Sequence, residues 1–150
     1  VAGYGMAHKA VAFGRLDGSE EALVDAVRLA VEDAGMKLDE IDAIVGFGNG
    51  DADTDSLELD AYRKLFGGKL ASLPVFTVKD TTGEGRAASA SLSAAHAALM
   101  LSDKYELAGR AYKLQADKMV QTTVDTKALK NVLVTSYGVG GSYCAVIIKR

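Results

Sequence analysis

Apolar positions along this chain change their period several times, and each change marks an element. The opening VAGYG (residues 1–5) joins β-branched and aromatic residues to glycines, the pattern of a strand running into a turn, whereas Met6 to Phe13 fits no single period. From Gly18 to Met36 the spacing becomes helical. Leu23, Val24, Val27, Ala30, Val31 and Ala34 share a face, Ser19 offers a cap and Gly35 a stop. LDEIDAIVGFG (38–48) is a short apolar run closed by glycines, which predicts a buried strand with a turn at its carboxyl end. A second helix is expected from Thr54 or Asp55, with Leu57, Ala61, Tyr62 and Leu65 on one face and Gly67 and Gly68 ending it; LPVFTVK (73–79) then reads as a third strand.

Gly85 to Leu101 is built almost wholly of Ala, Ser, Leu and Met with Arg86 its one charged residue, which predicts a helix buried on most sides. Ser102 to Lys130 is polar and poorly periodic, with Met119 to Val124 the stretch that could form a short strand. NVLVTSYGVGG (131–141) and SYCAVIIKR (142–150) are β-rich runs joined through glycines, an antiparallel hairpin. Strands alternating with helices imply an α/β fold: a mostly parallel sheet with helices on its faces, closed by that hairpin.

Composition narrows the function classes. With 49% hydrophobic and 25% charged residues in 150, the chain can bury the core of one domain, taken as residues 1–150. A net charge of -3 gives no electrostatic case for nucleic acid or an anionic membrane, and no apolar run approaches the roughly 20 residues needed to span a bilayer. The single cysteine, Cys144, excludes an internal disulfide framework and suits a reducing compartment, so a cytoplasmic location is expected. The chain opens at Val1 without a methionine, which suggests a piece of something longer.

Several constellations carry little chemistry. Asp51-Ala52-Asp53-Thr54-Asp55 begins like a calcium loop, yet its sixth position is Ser56 and its twelfth is Tyr62, where glycine and a bidentate glutamate are needed. The dipole of a helix N-terminus accounts for Asp55 and Glu58 without a metal. His8, expected in a loop after the first strand, and His96, in the Ala/Ser helix, have no second His or Cys at metal spacing, so no metal site is predicted. Gly46, Gly48 and Gly50 do not form a dinucleotide fingerprint, and no cofactor is expected. Cys144 lies in the final apolar strand beside Ala145, Val146 and Ile147, where a cysteine acts as an inert small hydrophobe.

Three motifs in order resemble the C-terminal half of a β-ketoacyl-acyl carrier protein synthase, a thiolase-like fold. The family's His-Gly-Thr-Gly-Thr-Pro-Leu-Gly-Asp-x-x-Glu run corresponds to Phe47, Gly48, Asn49, Gly50, Asp51, Ala52, Asp53, Thr54, Asp55 and then Glu58. Its Lys-Ser-x-x-Gly-His corresponds to Lys79, Asp80, Thr81, Thr82, Gly83 and Glu84, and its closing Asn-Ser-Phe-Gly-Phe-Gly-Gly to Thr135 through Gly141. The opening Gly-Tyr-Gly and Phe66-Gly67 fit as well. Glycines, the Asp/Glu pair and the lysine are kept, while both family histidines are replaced, by Phe47 and Glu84.

The resemblance implies an acyl-condensing system in which a cysteine on the N-terminal half accepts the acyl group and two C-terminal histidines polarise the malonyl group. Phe47 cannot donate a hydrogen bond to a developing oxyanion and an ionised Glu84 would repel one, so this chain is expected to be inactive by itself, like a chain-length-factor subunit of fatty acid or polyketide biosynthesis. The alternative is half of a divergent acyltransferase in which Lys79 and Glu84 form an acid/base pair rather than a salt bridge. A third reading is a scaffold that docks an acyl carrier protein. Gly48, Gly50, Gly138, Gly140, Gly141 and Arg86 are the candidate substrate-binding residues, Arg86 as a cation for a phosphate or carboxylate. Expected partners are an N-terminal thiolase-like half, on the same or a separate chain, and an acyl carrier protein or acyl-CoA, in a homo- or hetero-oligomer.

Overall fold

The computed structural model describes residues 1–12, 18–102 and 110–150. In chain order these form β1 (Gly3–His8), α1 (Glu20–Asp33), β2 (Ala43–Val45), α2 (Ala52–Phe66), β3 (Val75–Phe76), α3 (Lys79–Thr82), α4 (Ser89–Met100), β4 (Ala111–Gln115), β5 (Lys118–Thr122), β6 (Asn131–Gly138) and β7 (Ser142–Lys149). The strands make one seven-stranded sheet in the order β1-β7-β6-β2-β3-β4-β5. Only β2 pairs in parallel, with β3 on one side and β6 on the other, and the remaining pairs are antiparallel. The parallel pairing expected for most of the sheet is thus confined to its centre. Tight turns dictate two of the antiparallel pairs: Val139–Gly141 joins β6 to β7 and Ala116–Asp117 joins β4 to β5, and so short a link can only reverse the chain.

Helices cover both faces, and the strands sort their side chains accordingly. Leu133 and Tyr137 of β6, with Ala145 and Ile147 of β7, face α1 and α2, while Val132 and Val134 face the other way with Ala97 and Met100 of α4. Glycine lets α1 come unusually close to β1. A Cβ on Gly5 would overlap the carbonyl of Ala26, and one on Gly3 would sit 2.4 Å from that of Ala30.

Both confident helices begin and end on the expected kinds of residue. Ser19 is the N-cap of α1, although its hydroxyl turns to Glu21, and Gly35 takes φ +61 beyond its end. α2 starts earlier than Thr54 because Asp51 caps it, accepting from the Thr54 amide at 3.0 Å. Three other expectations change. His8 is the last residue of β1 rather than part of a loop. The polar stretch holds a full hairpin, β4–β5, of which only the second strand was legible. α4 buries one narrow stripe, Ser89, Ser93, Ala97 and Met100, while Leu92 and Leu99 are 40% exposed, so its outer side is uncovered within this chain. Part of the ambiguous run ending at Phe13, and residues 103–109 of the polar stretch, lie outside the described residues.

Candidate functional site

The carboxyl ends of β2, β3 and β6 converge, the place where an α/β sheet offers a crevice for ligands. β2 gives way to the loop 46–51, β3 to the helical turn α3 that starts at Lys79, and β6 ends in Tyr137 and Gly138.

Glu58, nearly two turns into α2, holds the loop in place. Its buried carboxylate accepts from the Phe47 amide at 2.8 Å and the Gly48 amide at 3.1 Å, and also from the hydroxyls of Tyr62 at 2.5 Å and Thr135 at 2.8 Å. Asp55 adds a bond from the Asn49 amide at 3.2 Å. These two acids were expected to complement the helix dipole, and they do more, because they tether the turn between β2 and α2. Burial, then the neighbouring Glu58 charge, pushes the Tyr62 hydroxyl far above its ordinary range; burial, then Glu58, also raises the Asp55 carboxyl.

Held this way, Phe47 projects into a stack. Its ring lies 4.4 Å from that of Tyr137, inclined by 25°, and the Lys79 ammonium sits 3.1 Å from its centroid. The same ammonium, on a side chain 8% exposed, is 2.9 Å from Glu84 Oε2, an ion pair without the alignment of a hydrogen bond. Glu84 Oε1 accepts from the Arg86 amide at 2.6 Å and the Ser89 hydroxyl at 2.7 Å. Burial alone would raise the Glu84 carboxyl, but Lys79, Ser89 and the Arg86 amide outweigh it and hold the group below its usual value. The pair is therefore a settled salt bridge rather than a proton carrier poised near neutrality.

A pH dependence follows with a fixed sign. A depressed carboxyl stabilises the fold fully above its unfolded pKa, about 4.3, and the contribution disappears as pH falls through the lower folded value. The difference in thermal midpoint between the natural chain and Glu84→Gln is expected to be constant from about pH 5.5 to 8 and to shrink progressively as pH falls below about 4.3. A difference that instead falls steadily as pH rises above about 4.3 would mean that the carboxyl is raised.

Phe47, Tyr137 and Glu84 form part of the wall of an open cleft of about 670 Å³, with Arg86, Gly138 and Cys144 beside them. The sequence candidates Phe47, Lys79, Glu84 and Arg86 are thus brought together, and Gly138 joins them. Gly48 and Gly50 instead border a second cavity on the far side of the loop. Gly140 and Gly141 do not line the cleft; Gly141 accepts from the Lys9 amide at 2.8 Å through its carbonyl, and a Cβ there would overlap the Lys9 carbonyl. Cys144 is half-buried on β7, and burial pushes its thiol up, away from the nucleophilic thiolate. His8 lies 3.4 Å from the Ser142 hydroxyl and His96 packs against Phe76, so neither joins the cleft. Sequence reasoning missed Tyr137 as the stacking partner of Phe47, and Tyr62 and Thr135 as partners of Glu58. The alternation of β6 could have placed Thr135 and Tyr137 on one face.

A family model described as the C-terminal domain of beta-ketoacyl synthase matches residues 1–108. The chain is 27% identical over 141 residues, 90% of its length, to a putative polyketide beta-ketoacyl synthase of Streptomyces virginiae, of which it covers 33%. It is 26% identical over 144 residues to the non-reducing polyketide synthase sor2 of Hypocrea jecorina, of which it covers 6%. It therefore spans a third or less of the length of these relatives. Among solved structures it is similar to a type II polyketide synthase acyl carrier protein in complex with its hexaketide-bound ketosynthase, with a TM-score of 0.83 and 20% identity over 99% of this chain and 37% of that one. It is also similar to the ishigamide ketosynthase/chain length factor, with a TM-score of 0.78, 21% identity and the same coverage. At these identities the two structures establish the thiolase-like fold.

Proposed function

This chain belongs to the beta-ketoacyl synthase family as a C-terminal domain, and from that membership we propose that it is the second half of a ketosynthase-like unit of polyketide assembly that supplies no condensation chemistry of its own, as a chain-length factor does. One observation carries the reading. Both positions where the family motifs place a histidine hold side chains that are already engaged: Phe47 lies between Tyr137 and the Lys79 ammonium, and Glu84 is committed to Lys79, Ser89 and the Arg86 amide. Neither offers the donor that a malonyl carbonyl needs as charge develops on it. That relatives of this chain are polyketide synthases favours that pathway over fatty acid synthesis.

The complete unit would combine this domain with an N-terminal thiolase-like half, work in the cytoplasm and receive its chains from an acyl carrier protein. Arg86 and Gly138 would then border the acyl chain in the cleft. The competing reading, an acyltransferase that uses Lys79 and Glu84 as acid and base, is disfavoured by the depressed Glu84 carboxyl.

The test is condensation by the complete protein. Incubated alone with acyl- and malonyl-charged carrier protein, it is expected to give no extended product, and extension should appear when an active ketosynthase partner is added. Extension by the purified protein alone would overturn the proposal.

A further inference from the structure

Behind the loop that carries Phe47 lies a second open cavity, of about 300 Å³, bordered by α2, β3 and the β4–β5 hairpin. Leu59, Val75, Phe76, Tyr112 and Met119 give it apolar and aromatic walls, the usual make-up of a small-molecule pocket. Its polar groups are one-sided. Asp55, Glu58 and Asp80 line it, whereas among the described residues no lysine, arginine or histidine does. Arg110 is close enough to act on the Tyr112 phenol but stands outside the wall.

The hydroxyls of the wall are already used. Tyr62 donates to Glu58 at 2.5 Å, Tyr112 to Asp80 at 2.6 Å and Thr77 to the Gly48 carbonyl at 3.0 Å. The loop amides are spent too, Gly46 on the Phe76 carbonyl at 2.8 Å and Gly48 on Glu58 at 3.1 Å. Acceptor capacity remains. A carboxylate offers about four lone-pair sites; Glu58 fills four, but Asp55 and Asp80 do not fill theirs with the partners they have. The described lining therefore suits donors and positive charge better than an acid. The apolar walls suit an occupant with a hydrocarbon body, so an organic cation fits them.

We propose that this cavity binds a small organic ammonium compound with an apolar body, an alkylamine or arylmethylamine. Asp55 and Asp80 accept its N–H groups, and Phe76, Tyr112 and Met119 surround its hydrocarbon. The aromatic faces add to the attraction for an ammonium. The occupant would press on Gly46, Gly48 and Gly50, the back of the loop whose Phe47 lines the main cleft, so the two cavities share a wall.

The test is isothermal titration of the complete polypeptide at pH 7.5 with benzylamine, benzyl alcohol and benzoate, which share a ring and differ in charge. Benzylamine is expected to bind at least about tenfold more tightly than benzyl alcohol, with no binding of benzoate. Asp55→Asn and Asp80→Asn should each weaken the amine about tenfold and leave the alcohol within about twofold. Asp80, an exposed carboxylate, keeps the test open should Asp55→Asn fail to fold. Met119→Trp, which fills the cavity, should remove binding, whereas Val139→Trp in the main cleft should leave it intact. No amine binding at millimolar concentration, equal binding of amine and alcohol, or indifference to Met119→Trp would overturn the proposal.

Discussion

Replacing Glu58 by leucine is expected to destabilise the protein by roughly 4 kcal/mol, a fall of roughly 8–16 °C in thermal midpoint for a domain of this size, far more than its loss of one side chain suggests. Leucine fits the volume but accepts no hydrogen bond. Two loop amides, of Phe47 and Gly48, and two hydroxyls, of Tyr62 and Thr135, would lose their acceptor at once in a region closed to water. A buried polar group left unpaired costs about 1–3 kcal/mol, and partial relaxation keeps the total below the full sum. Glu58→Gln separates geometry from volume. Its carbonyl can keep the contacts at Oε1, but its NH₂ would face the Gly48 amide, donor against donor, so an intermediate loss of about 2 kcal/mol is expected. Thermal and denaturant unfolding of the complete polypeptide measures both. A leucine variant within about 1 kcal/mol of the natural chain would mean that the loop is held by something other than this carboxylate.

The Glu58 network also shows where sequence reasoning reaches its limit. Helical spacing identified Tyr62 as a core residue of α2, and it is 2% exposed, but periodicity reports burial and not the atom a hydroxyl finds there. Tyr62 and Thr135, whose hydroxyl oxygens meet 2.7 Å apart around Glu58, are 73 residues apart, a separation at which no local pattern carries information. Lys79 and Glu84 were legible as a pair because five residues and one tight turn separate them, whereas the cation over the Phe47 ring depends on how β2 and β3 align. The β4–β5 hairpin escaped for a different reason. Its turn is Ala116–Asp117, both at positive φ without a glycine or asparagine, so the usual hairpin signal is missing. For α4 the composition was read correctly and the consequence was not. Small apolar residues announce a helix made for close packing, and among the described residues the buried stripe of α4 is confined to Ser89, Ser93, Ala97 and Met100.

On the proposed reading, replacement of the two family histidines silences the site in two distinct ways. Phe47 removes a donor and also captures the nearest cation on its face; Glu84 places a negative charge beside the cleft and holds that same cation from the other side. A Lys79 ammonium shared between a ring and a carboxylate has little left to offer a substrate anion.

Restoring both histidines should therefore do what neither does alone. In the complete protein, Phe47→His with Glu84→His is expected to raise decarboxylation of a malonyl thioester by at least about 100-fold over the natural chain, counted as acetyl thioester and carbon dioxide formed together, since one well-placed oxyanion donor contributes about 10²–10³-fold. Either single variant should stay within about fivefold of the natural level, because residues that act as a unit are not additive. Phe47→His alone leaves the Glu84 charge in place, and Glu84→His alone leaves Phe47 without a donor. The double variant also deprives Lys79 of both partners, so a loss of roughly 3 kcal/mol in stability should accompany the gain. Circular dichroism establishes that the protein assayed is folded. Decarboxylation that rises in the folded double variant would place the silence of this domain in these two positions; a folded double variant as inert as its parent would place it elsewhere in the cleft.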